Sequence, residues 1–217
     1  MAPKLYYFDI PGKGEAIRLA SVYGNYELED IRISREEFTA MKAAGKLPFG
    51  QVPALEIEDG VFLSQSAAIM RYIGKKTGLY PSDDVAAALV DAVIDEEIDL
   101  FAGLAVSAYK ERFGFGFLND DKALLLSVRE KLNVEVIPRH LGFLENILSK
   151  SSTGWIANTA EPTIADFILV PRLKWLTSGV LEGISTDILT PFPCLSGLIN
   201  KLMSLPAITA YYDAKQR

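Results

Sequence analysis

The stretch LPFGQVPALEIEDGVFLSQSAAIMRY, from Leu47 to Tyr72, holds residues able to bind a peptide-like ligand largely through main-chain chemistry. Val52-Pro53 is its centre. An X-Pro bond adopts cis at modest cost, and a cis proline opening a strand turns the N–H and C=O of the preceding residue outward, where an extended ligand pairs with them as an added strand. Ser64-Gln65-Ser66 follows where a strand ends and a helix over 67–75 begins. There Ser66 is placed to cap the helix, while its hydroxyl, the Gln65 amide and the first free N–H groups hold a carboxylate. A plain hairpin followed by a capped helix uses the same residues, and a Gln-Ser pair by itself does not go beyond that.

The elements that must position these groups follow from patterning. Lys4-Leu5-Tyr6-Tyr7-Phe8 is rich in β-formers, and Ile10-Pro11-Gly12-Lys13-Gly14 breaks it into a tight loop. Ala16, Leu19, Ala20 and Tyr23 recur at helical spacing, 26–33 alternates as a second strand, and 36–44 is a short helix stopped by Gly45. Ala54 to Glu58 and Val61-Phe62-Leu63 form a hairpin about Asp59-Gly60. The order is βαβαββα with a right-handed parallel start, that of a thioredoxin-like domain. Gly78 to Asp84 has linker composition, so the chain divides into a domain at 1–77, a linker at 78–86 and an all-helical domain at 87–217.

In that second, all-α part Val90, Ile94, Ile98, Phe101 and Ala105 mark one buried helix face. A helix over 122–150 carries Pro138 and should kink or split there. Thr163 and Asp166 form a capping box opening a third helix, which Pro171 interrupts early.

Composition narrows the function. The 217 residues are 49% apolar and 23% charged, as in soluble globular proteins. No apolar run approaches a membrane span, and Met1 to Tyr6 leads straight into a strand, so cytoplasmic location without a membrane partner is expected. One cysteine, Cys194, excludes an internal disulfide, and one histidine, His140, excludes ordinary His-rich metal sites, so no metal is expected. The net charge of -6 argues against nucleic acid. Residues 1–50 balance seven basic against seven acidic residues, so an anionic small ligand meets least repulsion there. Asp91, Asp95 and Asp99 share one side of a helix, ordinarily a solvated acidic face.

The run P-F-G-Q-V-P, a strand, D-G, a strand and S-Q-S-A-A-I-x-R-Y-I resembles the glutathione-binding half of the soluble glutathione transferases, and the T-x-A-D start at Thr163 extends the likeness. The resemblance covers essentially the whole chain and is nearest to the tyrosine-type, sigma-like and alpha/mu/pi group. It implies glutathione as co-substrate. Gly50, Gln51, Val52 and Pro53 then meet the cysteinyl part of the tripeptide, Gln65 and Ser66 the γ-glutamyl group, and Asp99 of the partner subunit the γ-glutamyl amine in a homodimer keyed by Phe49.

A free thiol with a pKa of about 8.5 is only about 3% ionised at pH 7, so conjugation needs a donor to the thiolate. A phenol provides one without a charge to bury. The resemblance assigns that role to Tyr7, leaving Tyr6, on the opposite strand face, for the core. It places Lys13 where sigma-like members carry an arginine, and Phe38 and Lys42 where they carry W-x-x-x-K at the glycyl end. The second substrate, an apolar electrophile, is expected on a shelf of Phe8, Ile10, Pro11, Leu104, Ala108 and Arg112. The alternating Arg112-Phe113-Gly114-Phe115-Gly116-Phe117 serves as an aromatic lid or as a loop packed on the domain. Conjugation for detoxification is the leading reading, with a glutathione-dependent isomerase of the prostaglandin D synthase type, or a non-catalytic crystallin-like protein, as alternatives. A glutaredoxin-like or omega-type reductase is disfavoured because no cysteine stands near the first loop.

Overall fold

The structure, a computed structural model, describes residues 2–215. Its first part runs β1 (Lys4–Tyr7), α1 (Gly14–Tyr23), β2 (Glu29–Arg32), α2 (Arg35–Ala43), β3 (Ala54–Glu58), β4 (Val61–Ser64) and α3 (Ser66–Thr77), the expected βαβαββα order. The sheet order is β2-β1-β3-β4. Strand β1 lies parallel to β2 and antiparallel to β3, with Leu5 opposite Leu55. Both leucines are fully buried, together with Ile17 and Leu19 of α1 and Ile69, Met70 and Ile73 of α3. The second strand is shorter than its alternation suggests, and α2 begins at a capping box of Ser34 and Glu37.

The second part is all helical: α4 (Asp84–Ala108), two 3₁₀ turns (Lys110–Phe113 and Gly116–Asn119), α5 (Lys122–Lys131), α6 (Ile137–Leu148), α7 (Ile164–Leu176), α8 (Pro193–Met203) and α9 (Pro206–Lys215). Helix α4 starts at Asp84 because Asp83 accepts the Ala86 N–H at 2.9 Å. The helix expected over 122–150 splits, as Pro138 suggested. A wide turn over Leu132–Val136 lets α6 begin with its proline in the first turn, where no N–H is required.

Two expectations need correction. Pro171 does not end α7, which continues to Leu176. That helix packs against α1, α3, α4 and α8, and Ile164 to Val170 are all buried, so burial outweighs the bond that proline removes. The buried face of α4 also differs from the apolar stripe: Ile98 is 48% exposed, whereas Glu97 is 5% exposed in the interior.

The Asp166 carboxylate accepts the Thr163 N–H and the Ile156 N–H, both at 2.8 Å, tying the start of α7 to the loop before it. His140 Nδ1 lies 2.7 Å from Glu96 Oε1, and the Cys194 N–H donates to Glu145 at 2.8 Å, so both singletons sit among packed helices. Among the described residues no helix is long and apolar enough to cross a membrane, and no cluster of His, Cys, Asp or Glu is arranged to hold a metal.

Candidate functional site

Strand alternation puts Leu5 and Tyr7 on the buried face and Tyr6 on the other. Tyr7 is 7% exposed, and its hydroxyl accepts the Lys13 N–H at 3.1 Å. That bond occupies one lone pair and leaves the O–H hydrogen free to donate. Burial pushes the Tyr7 pKa up, opposed mainly by the Lys13 N–H, so the group is held as a phenol.

The loop over this phenol is glycine-flanked for a steric reason. A Cβ on Gly12 would overlap the Tyr7 hydroxyl, and one on Gly14 would stand 2.5 Å from the ring carbon Cδ1.

Arg18, which sequence reasoning missed, organises the loop from below. Its Nη1 donates to the Ile10 carbonyl at 2.8 Å and to Glu15 at 3.2 Å, Nη2 to the Phe8 carbonyl at 3.3 Å, and Nε to Asp30 at 3.0 Å. The Arg18 and Glu15 side chains are each 2% exposed.

Tyr6 is not core, contrary to expectation. It is half-buried, donates to Glu56 at 2.9 Å and packs on Phe62 across the sheet surface. Burial and that carboxylate raise its pKa to about 12.

Lys13, Gln51, Val52, Pro53, Gln65 and Ser66 line one cavity, together with Phe49, Ser64 and Arg112. The Val52-Pro53 bond is cis, and Val52 lies just outside the ladder, which begins at Ala54. Ser66 does not cap α3. Strand β4 runs through Ser64 and the chain turns at Gln65, with φ of 74°, so Gln65 takes the N-cap position and Ser66 is already helical. Among the described residues no side chain caps this helix. Its first N–H groups and the Ser66 hydroxyl therefore keep their capacity to bind an anion.

Lys42 is exposed, and its stem crosses the binding loop: a Cβ at Gly50, where φ is 60°, would lie 3.2 Å from Lys42 Cε. Phe38 packs edge-on against Phe8, with centroids 5.5 Å apart.

The shelf residues are dispersed. Phe8 and Ala108 are half-buried, Ile10 is 50% exposed and Pro11 is exposed. Leu104 is fully buried in the core and offers no open surface, because the α4 register turns it toward the other helices. Arg112 belongs to the polar cavity instead, where Nη2 donates to Gln51 Oε1 at 2.8 Å and ties the helical part to the binding loop. The Phe-Gly alternation folds into the two 3₁₀ turns, with Phe113, Phe115 and Phe117 exposed.

Of the acidic triplet, Asp91 accepts from Arg71 at 2.7 Å and Tyr80 at 2.8 Å, whereas Asp99 is exposed. A second missed pair lies deeper: Arg172 Nε donates to Glu97 Oε1 at 2.8 Å.

A thioredoxin-like sheet carrying a cis proline and an uncapped helix start is joined to an all-helical domain through α7. Family models for the N-terminal and C-terminal domains of glutathione S-transferase match residues 3–75 and 110–215. A glutathione S-transferase of Anopheles gambiae is 34% identical over 215 residues, covering 96% of this chain and 94% of that one. Glutathione S-transferase 1 of Ascaris suum is 35% identical, covering 94% and 92%. Prostaglandin synthase D of Nilaparvata lugens superposes with a TM-score of 0.81 at 29% identity, covering 98% of each chain. The chain belongs to the glutathione S-transferase family.

Proposed function

We propose that this glutathione transferase binds the tripeptide in the cavity of Lys13, Gln51, Val52, Gln65 and Ser66 and adds its sulfur to an apolar electrophile, with Tyr7 donating to the thiolate. The Tyr7 hydroxyl carries this reading: buried, kept protonated, and with its acceptor side taken by Lys13, it has its O–H left for an anion. Lys42 serves the glycyl end, and Phe38 steadies Phe8 beside it. The reading divides the chain into a glutathione domain at 1–77, a linker at 78–86 and an electrophile domain at 87–217, in a cytoplasmic detoxifying enzyme. Turnover of 1-chloro-2,4-dinitrobenzene with glutathione is the direct test. A rate above the solution reaction is expected, and intact glutathione binding with no turnover would contradict it.

A second reading, isomerisation with glutathione as catalyst, is favoured by the likeness to prostaglandin synthase D over the full length. It would appear as formation of an isomerised product without net consumption of glutathione.

Gln65→Ala and Ser66→Ala are expected to raise KM for glutathione far more than they lower kcat, because their contacts are remote from the sulfur and hold ground and transition states alike. A hydrogen bond to a charged group is worth about 1.5–3 kcal/mol, or roughly ten- to a hundred-fold in affinity. Steady-state kinetics with unchanged KM in both variants would remove these residues from the site.

The reading includes a symmetric homodimer in which Asp99 of the partner subunit reaches the γ-glutamyl amine. Phe49, 62% exposed on the loop beside the cavity, is the residue suited to key one subunit into the other. Phe49→Ala is expected to weaken association and glutathione affinity together. Sedimentation of a monomeric wild type at micromolar concentration would overturn this arrangement.

A further inference from the structure

Helix α9 has no part in the reading above, yet it reaches the base of the loop that covers Tyr7. It packs against α1, and its Tyr212 hydroxyl donates to Glu15 Oε1 at 2.9 Å, across 197 positions of sequence. Lys215 Nζ stands 3.5 Å from the same oxygen with its side chain 38% exposed, which makes it the weaker of the two donors. Burial and the Glu15 carboxylate both raise the Tyr212 pKa, so this group stays protonated and keeps donating. Glu15 itself is buried, and a carboxylate at that depth needs its oxygens supplied with donors.

The connection continues beyond Glu15. Its other oxygen, Oε2, accepts from Arg18 Nη1 at 3.2 Å, and the same nitrogen donates to the carbonyls of Ile10 at 2.8 Å and Pro11 at 3.4 Å. Arg18 Nη2 holds the Phe8 carbonyl, and the Glu15 N–H donates to the Pro11 carbonyl at 2.8 Å, so the first turns of α1 grip the loop over 8–11 from below. The Arg18 guanidinium also lies 5.6 Å from the Tyr7 ring centroid. Two residues past Pro11, Lys13 supplies the N–H that occupies the Tyr7 oxygen. A continuous path of hydrogen bonds and loop backbone therefore leads from the last helix to the Tyr7 phenol.

Arg18 Nη1 is shared among a carboxylate and two carbonyls, and this makes the loop sensitive to Glu15. While Tyr212 fills Oε1, the carboxylate leaves Nη1 to the Ile10 carbonyl. A buried carboxylate that loses a donor draws harder on the charged donor that remains, because bonds to an ionised partner are the strong ones. The loop carbonyls are then released, and the Lys13 N–H and Tyr7 O–H lose their mutual alignment. Asp30 and Arg32 of β2, the other charged groups at this junction, pair with each other and with Arg18 Nε.

We propose that Tyr212 is a positioning residue: through Glu15 and Arg18, it lets the C-terminal helix set the first loop so that Tyr7 is aimed at the sulfur of bound glutathione. This rests on the reading that Tyr7 donates to the thiolate. Tyr212 touches neither ligand nor Tyr7, and its effect passes wholly through the loop.

The test is the thiolate absorbance of bound glutathione against pH in Tyr212→Phe and Tyr211→Phe, with Tm measured in parallel. Tyr212→Phe removes one oxygen and no charge, so it has no direct Coulombic effect on the thiolate. Its midpoint should move up by about half a pH unit or more. Tyr211→Phe is the matched control, because the Tyr211 hydroxyl is buried without a hydrogen-bond partner among the described residues, and its midpoint should stay at the wild-type value.

A fall in Tm with an unmoved midpoint in Tyr212→Phe would overturn the proposal and leave α9 a purely structural helix. Equal shifts in both variants would overturn it as well, since packing of α9 rather than the bond to Glu15 would then be responsible. A wild-type midpoint at the free-thiol value would instead refute the underlying role of Tyr7.

Discussion

Arg18→Met is expected to lower the unfolding free energy by about 3–5 kcal/mol, the usual cost of removing one partner from a buried ion pair. The side chain is 2% exposed and serves Asp30, Glu15 and the carbonyls of Phe8 and Ile10. Its loss leaves Glu15 in the interior with, among the described residues, the Tyr212 hydroxyl at 2.9 Å and Lys215 at 3.5 Å. For a protein of this size the change corresponds to a fall in Tm of roughly 6–20 °C. Glutathione affinity should fall as well, since the carbonyls that Arg18 holds belong to the loop bearing Gly12 and Lys13. Calorimetry is the check, and a Tm within about 2 °C of wild type would show that the loop supports itself.

Tyr7→Phe is expected to carry the largest catalytic loss, and Tyr6→Phe almost none. If the site lowers the thiol pKa from about 8.5 to about 6.5, the thiolate gains about 2.7 kcal/mol and its fraction at pH 7 rises about 25-fold. A less basic thiolate is a weaker nucleophile, and a Brønsted slope near 0.45 takes back about 8-fold, leaving roughly 3-fold from ionisation. Loss beyond that in Tyr7→Phe measures how far the hydroxyl also positions the sulfur. The pH profile has a definite sign. The raised Tyr7 pKa keeps the phenol protonated beyond its ordinary range, so the acid limb belongs to the bound thiol, and the rate climbs with pH through it without a Tyr7 limb near about pH 10. Tyr6, committed to Glu56 on the far side of the sheet, has no path to that profile.

The order of strands and helices was legible because each is written in local terms: β-formers broken by Gly-Pro loops, an Asp-Gly turn, and a capping box at Thr163. The pair Val52-Pro53 and the residues Gln65 and Ser66 were legible as a motif, and they line one cavity. The Ser66 cap failed by a single residue, because a left-handed turn at Gln65 is decided by how β4 meets α3. The stripe on α4 chose Ile98 for its hydrophobicity, whereas packing against α7 buries Glu97 beside Arg172. No periodicity argument places a carboxylate inside, since its partner lies 75 residues away in sequence. Arg18 was hidden for the same reason: its partners converge only when β2, α1 and the first loop are assembled.

The thiolate absorbance of glutathione bound to wild type, Tyr7→Phe and Tyr6→Phe, followed against pH, tests the central claim most directly. The account predicts a wild-type midpoint about 2 pH units below that of a free thiol. It predicts a midpoint displaced upward in Tyr7→Phe and unchanged in Tyr6→Phe. A wild-type titration in Tyr7→Phe, or a displaced one in Tyr6→Phe, would contradict the assignment of the buried phenol as the donor to sulfur.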